Sequence, residues 1–202
     1  LELKSGLKPW REIVEPYAEI AQGNLNRAGF AANLADVINN KADEEYQNPK
    51  EFFSRTYLTS GLSTLLKNAS KQLSGHGNNP IFQLKTNFGG GKTHSLLALY
   101  HLAGSTKATE LNGVSELLKD INLPKNINRA VFVGTDINPL NMSIGGFKIN
   151  TIWGRIFYEI GGETGFNIIK DNDNEGINPG ADKISELLSQ FSPCLILIDE
   201  LV

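Results

Sequence analysis

The chain has 202 residues, 40% hydrophobic and 20% charged, with a formal net charge of −3. That balance fits an ordinary globular protein of one or two domains and shows no global basic field of the kind that advertises nucleic-acid binding. Its apolar runs are far short of a membrane span, the N-terminus has no signal-peptide pattern, and the single cysteine, Cys194, excludes an internal disulfide, so a cytoplasmic protein is expected.

Residues 1–79 read as a helical region ahead of a second domain at 80–202. Pro9-Trp10-Arg11-Glu12-Ile13-Val14 is an entry segment ended by Pro16. From Asn26 the apolar positions Phe30, Leu34, Val37 and Ile38 recur at helical spacing, and Asn39-Asn40 closes that run. The clearest helix comes next. Asn48 caps it, Pro49 takes the first position and Glu51 completes a capping box. Leu58, Leu62, Leu65, Leu66, Ala69 and Leu73 form its apolar face, and Gly75 stops it.

The second domain opens on an apolar run, Ile81-Phe82-Gln83-Leu84, that reads as a strand. It leads into Phe88-Gly89-Gly90-Gly91-Lys92-Thr93 and a helix-like run from Ser95 to Leu102. Strand, glycine loop, Lys-Thr and helix in that order make a P-loop. Backbone N–H groups can cradle a triphosphate only where no Cβ blocks the approach, as at Gly89, Gly90 and Gly91. The helix beginning near Gly91 aims its free N–H groups and positive dipole end at the phosphates. Lys92 is expected to reach the β- and γ-phosphates, and the Thr93 hydroxyl to ligate Mg2+. The expected nucleotide-binding set is Asn87, Phe88, Gly89, Gly90, Gly91, Lys92, Thr93 and His94. The loop departs from G-x-x-x-x-G-K-[ST] in one place, where Thr86 replaces the first glycine. That glycine serves the turn off the strand rather than the phosphates. A dinucleotide fingerprint is disfavoured, because G-x-G-x-x-G is absent.

Further along, Val114 to Asp120 is a short amphipathic piece, and Ala130-Val131-Phe132-Val133-Gly134 a buried strand followed by a turn over Thr135–Pro139. Ile149 to Ile160 reads as a helix. Asn178 and Pro179 introduce another, with Ile184, Leu187, Leu188 and Phe191 on one face. Residues 140–180 read as an insertion or elaborated connection. Cys194-Leu195-Ile196-Leu197-Ile198-Asp199-Glu200 is an apolar strand ending in two acids. Strands alternating with helices imply an α/β fold with a mostly parallel sheet flanked by helices, and the glycine loop makes it a P-loop NTPase. Asp199 is then the second Mg2+ ligand, and Glu200 the residue that orients and polarises the attacking water. With Lys92 it makes up the expected catalytic pair. An end at Leu201-Val202 would leave strand surface unpaired, so the expectation is a piece of a longer protein whose remainder completes the sheet and the site.

Three segments together carry a family resemblance. They are Pro9 to Pro16, Glu51-Phe52-Phe53-Ser54-Arg55-Thr56-Tyr57-Leu58-Thr59, and Leu84-Lys85-Thr86-Asn87-Phe88-Gly89-Gly90-Gly91-Lys92-Thr93-His94-Ser95. The chain resembles a group of large prokaryotic AAA-superfamily ATPases, long catalogued as a domain of unknown function and often encoded beside DNA methylases and helicases in anti-phage islands. In that group the T-N-F-G-G-G-K-T-H loop is the usual form, so Thr86 becomes a family trait. The resemblance covers most of residues 9–102, returns at Leu197-Ile198-Asp199-Glu200 and is weak between Asn138 and Gln190. It implies an AAA/RecA-like form of the P-loop fold, ATP and Mg2+ as ligands and a role in a DNA-targeting defence complex. DNA methylase, helicase and DNA would be partners through the longer protein. The short apolar runs point to no membrane partner, and an oligomer of the longer protein is left open.

Other signals leave alternatives open. His94 has two readings, contact with nucleotide or packing and hydrogen bonding, as do Asp136 and Asn138, which could line the γ-phosphate side or cap a turn. The same holds for Arg55, Tyr57 and Thr59: in AAA-type proteins that region often flanks the adenine, while in the alternative Tyr57 and Leu58 are core and Arg55 is solvated. Asp171-Asn172-Asp173-Asn174-Glu175-Gly176 is a poor calcium loop, better read as a solvated acidic loop. Two alternatives to an ATPase remain. One is a nucleotide-dependent assembly switch that turns over little, and the other a nucleic-acid-binding module with a vestigial P-loop.

Overall fold

The computed structural model describes residues 8–16, 18–23, 32–85, 89–105, 107–134 and 142–200. The chain separates into two units, Leu1–Ala32 and Asn33–Val202. In the first, Pro9 leads into a 3-10 turn, Trp10–Glu12, and a short helix α1 covers Ala18–Ala21. Proline fits that entry because its fixed φ suits a helical start and its missing N–H is not needed there.

The second unit begins with helices whose starts are written in their caps. Asn33 accepts the Ala35 N–H at 2.9 Å and opens α2, Leu34–Ile38, whose Leu34, Ala35 and Val37 are buried. The unpredicted α3, Glu44–Gln47, follows. Asn48 accepts the Lys50 N–H at 2.9 Å and opens α4, Pro49–Arg55, with Pro49 at the first position as expected. The single long helix expected from Asn48 to Gly75 is instead two. Residues 56–59 leave the helical conformation, and α5 runs Ser60–Leu73. Two threonines make the break: the Thr56 hydroxyl turns back to the Phe52 carbonyl at 2.6 Å, and the Thr59 hydroxyl accepts the Leu62 N–H as a new N-cap. The expected face of α5 is largely kept, with Leu62, Leu66 and Ala69 buried.

The expected strand at Ile81–Leu84 is not formed. Residues 81–85 carry no regular structure, and Ile81 is 78% exposed. β-branched and aromatic residues favour a strand only when a neighbouring strand is there to pair with. Helix α6, Lys92–Gly104, then passes through the middle of the unit with Leu96, Leu97, Ala98, Leu99, His101, Leu102 and Ala103 buried. A helix apolar nearly all round needs cover on every side. It contacts α2, α4 and α5 and also the two strands Asn128–Val133 and Cys194–Asp199.

A 3-10 turn at Ala108–Glu110 and α7, Val114–Leu117, lead to strand β1, Asn128–Val133. Then comes a hairpin of β2, Met142–Ile144, and β3, Phe147–Ile149, turning through Gly145 and Gly146, both with positive φ. This shifts the expected Ile149–Ile160 helix. Its first residue belongs to β3, and α8 covers Ile152–Asn167 with Thr151 as N-cap. Helix α9, Lys170–Glu175, α10, Gly180–Phe191, and β4, Cys194–Asp199, complete the order. Strands β1 and β4 pair in parallel, with Val131 opposite Leu197 and Val133 opposite Asp199. The architecture is therefore mixed α/β, with a small parallel sheet and helices around it. Ile156, Phe157 and Ile160 of α8 pack with Ala130 of β1 and Leu187 of α10 in one core cluster.

Two side-chain carboxylates hold this half together. Glu159 of α8 accepts the Val131 N–H at 2.7 Å while its other oxygen takes Arg155 Nε at 2.7 Å. A side chain thus satisfies an N–H of β1 where a further strand would otherwise be needed. Asp173 is the second. Far from lying on a solvated loop, it sits on α9, fully buried, and accepts hydrogen bonds from Asn150 and Thr151 at the start of α8. Among the described residues no helix is long and apolar enough to cross a membrane.

Candidate functional site

The glycine loop meets the helical start as its sequence requires. Gly89 and Gly91 both adopt positive φ, 77° and 75°, which a residue with a Cβ takes up only with strain. An ideal Cβ at either would meet nothing within 4 Å. Protein packing therefore does not demand these glycines. Backbone conformation does, and among the described residues nothing fills the space above them. Gly91 supplies no side-chain cap to α6, which leaves the first-turn N–H groups without the partner that Asn33, Asn48 and Thr59 give other helices. Asn87 and Phe88 of the expected binding set, with Thr86, lie outside the described residues, as do Asp136 and Asn138.

The two expected metal ligands come together. Thr93 Oγ1 donates to Asp199 Oδ2 at 2.8 Å, joining the first turn of α6 to the end of β4 across 106 positions of sequence. Asp199 is only 7% exposed, and its carbonyl accepts the Gly134 N–H at 3.0 Å, which fixes it against the end of β1. The separation suits a hard cation. Two neighbouring oxygens of an octahedral Mg2+ at about 2.0–2.1 Å lie roughly 2.9 Å apart. Among the described residues no group of three His, Cys, Asp or Glu could hold a metal. A cation here would take one hydroxyl, one carboxylate and otherwise water or phosphate oxygens, the pattern of Mg2+ rather than of zinc. Lys92 is half-buried at the head of α6.

Glu200 follows Asp199 with its side chain exposed and its backbone at φ 49°. Left-handed backbone in a residue that is neither glycine nor asparagine costs of order 1–3 kcal/mol and concentrates at functional sites. The sequence carried no sign of this strain.

His94 is engaged by α4. Its ring lies on Phe52 with centroids 4.6 Å apart, and its Nε2 is 3.0 Å from Thr56 Oγ1. His101, two turns on, packs against the same Phe52 at 5.1 Å and places its Nε2 2.7 Å from the Tyr46 carbonyl. Thr56 and Phe52 are the neighbours that sequence reading missed. The hydroxyl ahead of a second cap, in Thr56-Tyr57-Leu58-Thr59, was the available signal. Tyr57 itself is 85% exposed rather than core, and Arg55 pairs with Glu45 at 2.7 Å.

Burial lowers the pKa of both imidazoles from the ordinary 6.5; at His101 the Tyr46 carbonyl works in the opposite direction and Arg129 with the burial. With native values below the unfolded one, the unfolded chain takes up protons first as pH falls. The stability contributed here is whole above pH 6.5, the ordinary value, and is lost as pH drops through the native values. The urea midpoint should therefore fall between about pH 7.5 and 5.5. The double variant His94→Gln, His101→Gln should flatten that fall, and an equally steep fall in the variant would refer the acid sensitivity to other groups.

The family described as DUF499 N-terminal domain, a domain of unknown function, matches residues 17–202. No curated protein and no solved structure matches the chain.

Proposed function

The chain belongs to the DUF499 N-terminal domain family, and from that premise we propose that it is the nucleotide-binding module of a Mg2+-dependent P-loop ATPase. The observation that carries this reading is the Thr93–Asp199 bond at 2.8 Å beside an uncapped helix start and two left-handed glycines. Glycine loops alone are common. A hydroxyl on the first helical turn, bonded to a buried carboxylate at the end of a parallel strand, is what magnesium triphosphate chemistry uses.

In this reading the amides of Gly89 to Gly91 and the first turn of α6 bind the β- and γ-phosphate oxygens. Lys92 adds a point charge on the transferring group. Thr93 and Asp199 would hold Mg2+, which when bound neutralises charge on the phosphate oxygens. Glu200 takes a proton from water as the water oxygen bonds to the γ-phosphorus. The bond from that phosphorus to the β,γ-bridging oxygen breaks, giving ADP and phosphate. The resemblance of the quoted segments to AAA-superfamily ATPases supports the wider proposal: a module of a larger, cytoplasmic AAA-like ATPase acting with DNA methylase or helicase partners in a DNA-targeting defence complex.

The reading is tested by magnesium-dependent phosphate release. Asp199→Asn keeps the shape of the carboxylate and removes its charge. It should lower phosphate release from MgATP by about two orders of magnitude, the scale for losing one charge-stabilising group. Equal release by the variant and the wild type would remove Asp199 from the site.

A further inference from the structure

Side chains 93 and 94 leave the first turn of α6 about 100° apart, and each is held from a different side. Thr93 Oγ1 is bonded to Asp199 of β4 at 2.8 Å. His94 is bonded through Nε2 to Thr56 Oγ1 at 3.0 Å, at the end of α4. The Thr56 hydroxyl has one hydrogen and gives it to the Phe52 carbonyl at 2.6 Å. It can therefore only accept from His94, so the imidazole carries a hydrogen on Nε2. The ring's face against Phe52 fixes its remaining freedom.

We infer that His94 is a positioning residue of the nucleotide site: its Nε2–H bond to Thr56 sets the rotation of the first turn of α6 and so keeps Thr93 Oγ1 beside Asp199. The inference rests on reading Gly89–Thr93 as the phosphate cradle and Thr93 with Asp199 as the magnesium pair. Docking of α6 as a whole does not need His94. Further along, the helix is held by its buried leucines and by His101 on the Tyr46 carbonyl. At its far end Arg129 donates to the Tyr100 carbonyl at 3.0 Å and lies over the Tyr100 ring. The first turn lacks a side-chain N-cap. Its orientation is set where its own side chains reach other elements, and His94 ties it to α4 while Thr93 ties it to β4. Removing one tie leaves the other to hold the turn alone. Because Thr93 is the magnesium-side ligand, the loss should fall on the contribution of magnesium to binding.

The test is calorimetric titration of the chain with ATP, once with Mg2+ and once in EDTA. Supporting residues around a metal site typically contribute about 10–100-fold to metal affinity. His94→Ala should weaken MgATP binding by about ten-fold or more while changing magnesium-free ATP little. Thr56→Val should copy that loss. His94→Gln, which keeps a donor at the same reach, and Thr56→Ser, which keeps the hydroxyl, should restore it. If His94→Ala does not fold, Thr56→Val and the two conservative variants decide the matter alone. Nitrogen-15 spectra should show His94 as the neutral Nε2–H tautomer, and an Nδ1–H tautomer would overturn the inference. So would His94→Ala that melts earlier yet keeps the wild-type magnesium dependence, since that result marks a packing role only. Absence of any nucleotide binding by the folded wild type is a separate outcome: it removes the phosphate-cradle reading, and this inference with it.

Discussion

Asp173→Ala should destabilise the chain by at least about 3 kcal/mol, a large share of the roughly 5–15 kcal/mol that holds a typical domain folded. The fully buried carboxylate accepts the backbone N–H groups of Asn150 at 2.8 Å and Thr151 at 2.9 Å, and the Thr151 hydroxyl at 2.5 Å. The same Thr151 hydroxyl caps α8 by accepting the Gly154 N–H at 3.0 Å. Alanine would strand three donors in the interior, each worth about 1–3 kcal/mol when left unsatisfied. The carboxylate also explains Gly154, where a Cβ would stand 2.1 Å from Asp173 Oδ1. Asp173→Asn keeps one acceptor oxygen but presents an NH2 to the remaining donors, so its loss should be smaller. Urea unfolding of both variants checks this. A loss under about 1 kcal/mol in the alanine variant would mean that water replaces the carboxylate without difficulty.

What the sequence made legible was local in its physics. The start of α4 at Asn48-Pro49, the start of α6 after Gly91 and the buried strand β1 are each declared by residues within a few positions: a cap, a left-handed glycine, an unbroken apolar run. The break between α4 and α5 was hidden because the helical spacing of Leu58 with Leu62, Leu65 and Leu66 runs across it, and that periodicity outweighed two threonine hydroxyls. Ile149, the end of β3, was read as the start of a helix, and the hairpin ahead of it was not expected, although Gly145-Gly146 is the kind of pair that makes a tight turn. Ile81–Leu84 failed for a different reason. Its residues suit a strand, but pairing is a property of the neighbours, which a local reading does not contain.

The site divides in the same way. That Thr93 and Asp199 should meet was legible, since the motif pairs a hydroxyl after lysine with an acid ending a strand, and their contact is present. The engagement of His94 by Thr56 was not, because nothing local says that α4 lies against the first turn of α6. Nor was the burial of Asp173, which shares its surroundings in sequence with Asp171, Asn172 and Asn174, all polar. Only the packing of α9 under the start of α8 separates it from them.

Lys92→Ala carries the largest effect expected on nucleotide binding. A charged hydrogen bond to phosphate is worth about 1.5–3 kcal/mol, so losing the only side-chain cation of the Gly89–Thr93 cradle should weaken MgATP by roughly 10–100-fold or more. The most direct measurement is therefore calorimetric titration of the wild-type chain and of Lys92→Ala with MgATP. The predicted result is saturable one-site binding by the wild type that Lys92→Ala weakens beyond detection at the same concentrations. Equal binding by the two proteins, or none by a folded wild type, would contradict the assignment of Gly89–Thr93 as a nucleotide cradle.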